Sequence, residues 1–279
     1  MLRSIDLYDE YFNWLGSMND IPLSREYSFE EFEMPPAFLT GVISDREVDM
    51  DGDGTFDYLE IGVEVEVLEA GNYVVDASQL RDIYYNYVNV RNSEFSYLDA
   101  GTQIVVLTLN GPTIHASGID PSFVAQINLW DEYFNTLDFA YDVPLSREYF
   151  YTEFDAPGAH LTGIITDQGV DTDNPPDGKF DYLEIGVQIE VSEAGTYIVE
   201  ADGLDEEGNF ISAWGISTAY LSTGTQFVYV QLDGLPIYGR SFNPSRILSL
   251  SLYDEDYNYL GSLNDMPLSR TYLYTEFDA

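Results

Sequence analysis

The chain repeats itself. The segment LSREYFYTEFDA at 145–156 returns as LSRTYLYTEFDA at 268–279, identical at ten of twelve positions, and FDYLEIGV stands unchanged at 56–63 and 180–187. LTG precedes that octapeptide both times, at 39–41 and 161–163, so the motif order is kept over a period of 122 to 124 residues. Solenoid coils recur every ~20–50 residues, whereas this period is the size of a whole domain. Two complete copies are therefore expected, 37–156 and 159–279, preceded by a partial copy, 1–34, that matches only the last quarter of a repeat. Three versions of that quarter open with LYDEYFNWLG, LWDEYFNTLD and LYDEDYNYLG. Each runs on to a Pro-Leu-Ser-Arg segment ending at Arg25, Arg147 or Arg270.

Within a copy the period of two dominates. In DYLEIGVEVEV, Leu59, Ile61, Val63, Val65 and Val67 fall on one side and Glu60, Glu64 and Glu66 on the other, as in a half-buried strand. Further strands are expected over 38–44, 72–77, 83–90, 102–109, 123–130 and 147–154, separated by turn signals such as Asn110-Gly111-Pro112. A helical turn is allowed near 131–134, and nothing longer is supported. Seven or eight short strands at this spacing predict an all-β fold of tandem antiparallel β-sandwich domains, Ig-like or jelly-roll-like. The partial copy carries the same apolar character in Ile5, Leu7, Tyr27 and Phe29, so alone in water it exposes unpaired backbone and apolar side chains. Head-to-tail self-assembly into a filament or lattice, or pairing with flanking copies of the repeat, is the partner expectation.

Composition narrows the function. The formal net charge is −40, carried by 50 acidic residues against nine Arg and Lys179, yet 45% of residues are hydrophobic and 15% aromatic. That much apolar matter is incompatible with a disordered acidic chain. The charge repels nucleic acid and anionic membrane surfaces, and a compact fold at this charge density calls for bound cations or strong screening. With no Cys, disulfides and thiolate chemistry are excluded. No apolar run is long enough to insert in a membrane, and the first residues lack a signal-peptide core, so any export address is expected outside this sequence.

Asp49 to Glu60 fits the twelve-residue calcium-loop pattern D-x-D-x-D-G-x5-E at every specified position. Carboxylates of Asp49, Asp51, Asp53 and Asp57 converge as such a loop curls, Gly54 permits the bend, Thr55 offers its carbonyl, and Glu60 closes the sphere with two oxygens. Held within about 5 Å, such carboxylates repel by roughly 1 kcal/mol per pair even in water, and Ca2+ relieves the repulsion. The second copy has two extra residues before Asp177-Gly178, and its ligand candidates are Asp171, Asp173, Asp177, Lys179, Asp181 and Glu184.

These loops resemble those of EF-hands, dockerins and the acidic repeats of thrombospondins. EF-hands have a helix on each side and here both flanks read as strands, so the resemblance implies calcium chemistry and not a sensor fold. The whole unit, in the order LTG, acidic loop with DYLEI, AGxY, LxxG, LYDE and Y-x-Y-x-x-F, resembles a repeat of large secreted and cell-surface archaeal proteins. That resemblance implies an exported β-sandwich and supplies no catalytic residue.

Other constellations read as structural. His115 and His160 occupy different places in their copies, and no nucleophile elbow or phosphate-binding Gly-rich loop is present. Arg25, Arg147 and Arg270 are expected to pair with neighbouring carboxylates. Tyr84, Tyr85 and Tyr87 suggest an aromatic sugar-binding platform, although packing in the core or between domains is the favoured reading of these rings. The sequence thus points to a non-enzymatic, calcium-stabilised structural or adhesive module at the cell surface. A carbohydrate-binding β-sandwich accessory module, with surface glycans as partners, is the alternative.

Overall fold

The computed structural model describes residues 2–9, 12, 14–25, 33–206 and 209–278, the side chains of Leu2 and Glu206 excepted. Tyr27 and Phe29 lie outside the described residues. The chain divides into two compact units, 1–36 and 37–279. The first contains a hairpin of β1 (Leu2–Tyr8) and β2 (Trp14–Ile21). The second contains both complete copies.

In the first copy the elements are β3 (Ala37–Val48), β4 (Tyr58–Val67), β5 (Gly71–Arg81), β6 (Tyr87–Leu98), β7 (Gly101–Asn110), α1 (Gly111–Ser117), β8 (Phe123–Asp131) and β9 (Thr136–Pro144). Those of the second are β10 (Ala159–Val170), β11 (Tyr182–Val191), β12 (Gly195–Glu206), β13 (Asn209–Leu221), β14 (Gly224–Asp233), α2 (Gly234–Gly239), β15 (Arg246–Asp254) and β16 (Tyr259–Pro267). Each copy builds a three-stranded sheet, β3-β4-β7 or β10-β11-β14, and a four-stranded one, β6-β5-β8-β9 or β13-β12-β15-β16. All these pairings are antiparallel. Counted within a copy, strand order 1-2-5 against 4-3-6-7 is an Ig-like sandwich with its fourth strand on the second sheet, not an eight-stranded jelly roll.

The alternation of β4 does what its pattern dictates: Leu59, Ile61, Val63, Val65 and Val67 are all buried. They meet Tyr73, Val75 and Ala77 of β5, Leu107 and Leu109 of β7, and Ile127 and Leu129 of β8 in one core. Leu183, Ile185, Val187, Ile189 and Val191 repeat the arrangement on β11. Each such side chain contributes about 1.5–3 kcal/mol through burial.

Three local expectations differ from the structure. Residues 147–154 form a 3-10 turn at Tyr151–Glu153 and no strand. The Glu153 carboxylate folds back to accept from the Phe150 amide at 2.8 Å and from Arg147 Nη1 at 2.8 Å, which curls the backbone away from any sheet. The strand expected from residue 83 starts at Tyr87, because Asp82 gathers the amides of Tyr84 (2.7 Å) and Asn86 (2.9 Å) into a tight turn. Asn110-Gly111-Pro112 opens a short helix, α1, capped by Asn110 Oδ1 on the Thr113 amide at 2.9 Å. Seven residues are too few to display a helical period. At 131–134 the chain makes a hairpin turn in which Asp131 Oδ1 accepts from the amides of Tyr133 and Asn135.

Candidate metal centres

Both acidic segments lie at the same place in their sandwiches, joining the first two strands of the three-stranded sheet. The β3–β4 ladder runs to Val48↔Tyr58, so residues 49–57 form its closing loop. Asp49, Asp51 and Asp53 are exposed there, and one carboxylate oxygen from each lies within 4.8 Å of the others. Local amides fix them. Gly52 N donates to Asp49 Oδ1 at 2.7 Å, Gly54 N to Asp49 Oδ2 at 3.1 Å, Asp53 N to Asp51 Oδ1 at 3.0 Å and Thr55 N to Asp53 Oδ1 at 2.8 Å. Gly54 has φ 98°, a left-handed conformation that side chains strain to adopt. Asp57 turns its Oδ2 to the Met50 amide at 2.5 Å and so holds the loop shut.

The second loop, between β10 and β11, keeps this plan despite its insertion. Asp171, Asp173 and Asp177 bring one oxygen each within 4.8 Å of one another. Gly178 N donates to Asp171 Oδ2 at 2.8 Å, Lys179 N to Asp177 Oδ1 at 2.8 Å, and Asp181 Oδ2 accepts from Thr172 N at 2.5 Å as Asp57 accepts from Met50. The Asn174-Pro175 bond in the inserted stretch is cis. Lys179 Nζ bonds the Thr275 carbonyl.

The exits of the loops are pinned by the far end of each repeat. Phe56 forms a parallel bridge with Phe154, with Phe56 N to Glu153 O at 2.9 Å and Asp155 N to Phe56 O at 3.1 Å. The two rings meet edge to face at 5.8 Å. Phe180 and Phe277 duplicate the bridge, with rings 5.6 Å apart. Gly111 closes from the third side: its amide donates to Asp57 O at 2.8 Å, and a Cβ there would stand 2.3 Å from Phe56 O.

This pinning adds a carboxylate that the loop pattern does not contain. Asp155, about a hundred residues downstream, accepts from Thr55 Oγ1. Its carboxyl is pushed above the usual range by burial and then by the charges of Asp57, Asp53 and Asp51, with the Thr55 bond opposing. Asp278 stands in the same relation to the second loop and is raised by burial and by Asp177, Asp181, Asp173 and Asp171. Asp173 is raised by burial and by Asp181, Asp177 and Asp171. The available signal was that Phe-Asp-Ala ends both copies, but nothing in a linear pattern joins it to the loops.

The twelfth-position glutamates are placed elsewhere. Glu60 is on β4, cross-strand from Arg46, with Arg46 Nε to Glu60 Oε2 at 2.5 Å. Glu184 accepts from Gln168 Nε2 at 2.7 Å. An EF-hand helix curls its last ligand back toward the ion, whereas a strand advances ~3.3 Å per residue and carries the carboxylate away.

Elsewhere the polar groups are engaged structurally. His115 bonds the Phe154 carbonyl through Nδ1 at 2.8 Å, and His160 faces Glu190 at 3.5 Å on the surface. Arg147 joins Glu47 (2.7 Å) to Glu153 (2.8 Å) and lies over the Tyr149 ring; Arg270 likewise joins Glu276 and Tyr272. Tyr84, Tyr85 and Tyr87 are exposed and take no part in the core, which corrects the core-packing half of the reading favoured for them. Asp82 holds their turn outward.

No protein-family model matches the chain, and no curated protein matches it. Among solved structures it aligns with a DUF4785 family protein from Legionella pneumophila at 9% identity and a TM-score of 0.31, covering 84% of this chain and 56% of that one. The BSP domain of a biofilm associated protein aligns at 9% identity and a TM-score of 0.21, covering 90% and 61%. The calcium binding domain CBD12 of CALX1.1 aligns at 12% identity and a TM-score of 0.17, covering 76% and 78%. The chain thus spans about half the length of the Legionella structure. At such scores these likenesses say nothing of ligand or activity.

Proposed function

We propose that the chain is a calcium-stabilised β-sandwich repeat, a structural and adhesive building block of an extracellular surface protein, without catalysis of its own. One observation carries the reading: two loops of different length, at the same place in two sandwiches, each gather three aspartates within 4.8 Å and receive a further one from the end of the repeat. An all-oxygen, multiply anionic set suits Ca2+ and not the nitrogen and sulfur preferences of zinc. Asp49, Asp51, Asp53 and Asp155 would hold one ion, and Asp171, Asp173, Asp177 and Asp278 the other. A bound ion neutralises a cluster that otherwise pushes the loop away from the repeat's end. Calorimetric titration of the chelator-treated chain with CaCl2 is expected to show two sites, and Asp49→Ala with Asp51→Ala is expected to leave one. Heats of dilution alone would overturn the assignment. Among the described residues no helix is long and apolar enough to cross a membrane.

A second reading, glycan recognition, draws on the exposed Tyr84, Tyr85 and Tyr87 at one turn of the first copy. It is tested by binding of the chain to a glycan array, with Tyr84→Ala as control.

A further inference from the structure

The β1–β2 hairpin is the same object as β8–β9 and β15–β16. Leu7↔Gly16, Leu129↔Asp138 and Leu252↔Gly261 are equivalent pairs, and the register shifts after the leucine in all three. Phe12, Phe134 and Tyr257 hold the same left-handed turn position, at φ 61°, 62° and 61°.

What covers the hairpin differs. In the complete copies the first strand is paired on its other edge, Leu129 with Val75 of β5 and Leu252 with Val199 of β12. Ile127 and Leu129, packed in the first core with β4 and β7 of the facing sheet, are 1% and 0% exposed, and Leu250 and Leu252 in the second core are both 0%. Among the described residues β1 pairs with β2 alone, and Ile5 and Leu7 are 51% and 62% exposed. The segment that follows has a template too. In Pro-Leu-Ser-Arg of the complete copies the serine binds an aspartate on the copy's first strand, Ser146 on Asp45 at 2.8 and 2.6 Å and Ser269 on Asp167 at 2.7 and 2.6 Å.

We propose that this hairpin closes a further sandwich, and that its occupant is another copy of the repeat's first five strands, equivalent to 37–110. That copy lies N-terminal to the hairpin, as in both complete copies. It presents a β5-type edge to β1. A second copy of this chain is a poorer occupant. To admit the hairpin it must release β8–β9, whose Ile127 and Leu129 match Ile5 and Leu7, so exchange bares as much apolar surface as it covers. The inference rests on the reading of the chain as a repeat module, and not on calcium.

The test joins a duplicate of residues 37–122 ahead of Met1 and follows amide hydrogen exchange of β1 and β2 in the parent and extended chains, in calcium and in chelator. Protection of β1 is expected to rise by at least about a hundredfold in the extended chain. Leu7→Ala, silent in the parent, is expected to lower that protection. A duplicate that stays unfolded with β1 unprotected in both solutions would overturn the proposal. So would a parent chain that dimerises at high concentration with β1 protected, since the occupant would then be a second copy. Failure of the calcium reading would appear instead as identical behaviour in calcium and chelator.

Discussion

At the scale of single residues, each cluster is built from carboxylates whose mutual repulsion opposes folding. Asp155, Asp173 and Asp278 are held above the usual carboxyl range. A carboxyl whose folded pKa exceeds its unfolded value of about 3.9 disfavours the folded state at neutral pH, and that penalty is released as pH falls through the folded value. Cation-free chain is therefore expected to gain stability through these groups on mild acidification. Bound calcium would reverse the sign: it holds its ligands deprotonated and below their unfolded value of about 3.9, so the loaded chain is expected to keep its stability above that value and to lose it as pH falls below. Asp155→Asn is expected to raise the melting temperature in chelator and to shrink the increment given by calcium; thermal melts in the two solutions check both signs. At the alkaline end, Tyr149 and Tyr272 donate to Asp45 and Asp167 at 2.6 and 2.7 Å. Burial and that carboxylate push the Tyr272 phenol up to about 12. Its stabilising contribution is present below the unfolded value of about 10 and is lost as pH rises toward 12. Tyr272→Phe is expected to flatten this part of a denaturation profile taken between pH 8 and 12.

At the scale of elements, identical patterns acquire opposite environments. Leu7 and Leu129 share a motif, but among the described residues only Leu129 meets a β5-type neighbour. Leu129→Ala is expected to cost about 2–5 kcal/mol and Leu7→Ala less than about 0.5 kcal/mol, measured by urea unfolding. The strands were legible because β4 and β11 alternate without a break, so one buried face follows from the residues alone. The acidic loops were equally legible as carboxylate clusters. Two things were not. Tyr149 and Tyr151 mimic strand alternation, while the fold-back of Glu153 onto Arg147 and the Phe150 amide is a tertiary event with no periodic trace. The parallel bridge from Phe56 to Phe154 joins residues nearly a hundred apart and brings Asp155 to the loop, while the β3–β4 register sets Glu60 opposite Arg46.

At the scale of the whole molecule, the chain carries a net charge of −40, and neutralising its most concentrated acids in place would relieve the repulsion. The loop exits are bridged to the end of each repeat, so an ion held there would act on the sandwich as a unit. At free calcium about a hundredfold above the dissociation constant each proposed site would contribute about 2.7 kcal/mol, on the order of 10 °C in the melting temperature of a domain this size. The decisive measurement is differential scanning calorimetry of the chain in saturating calcium and in chelator, beside Asp49→Ala with Asp51→Ala. Calcium is expected to raise the transitions of both sandwiches, and the double variant to lose the increment in the first sandwich alone. Superimposable traces in calcium and chelator would contradict it.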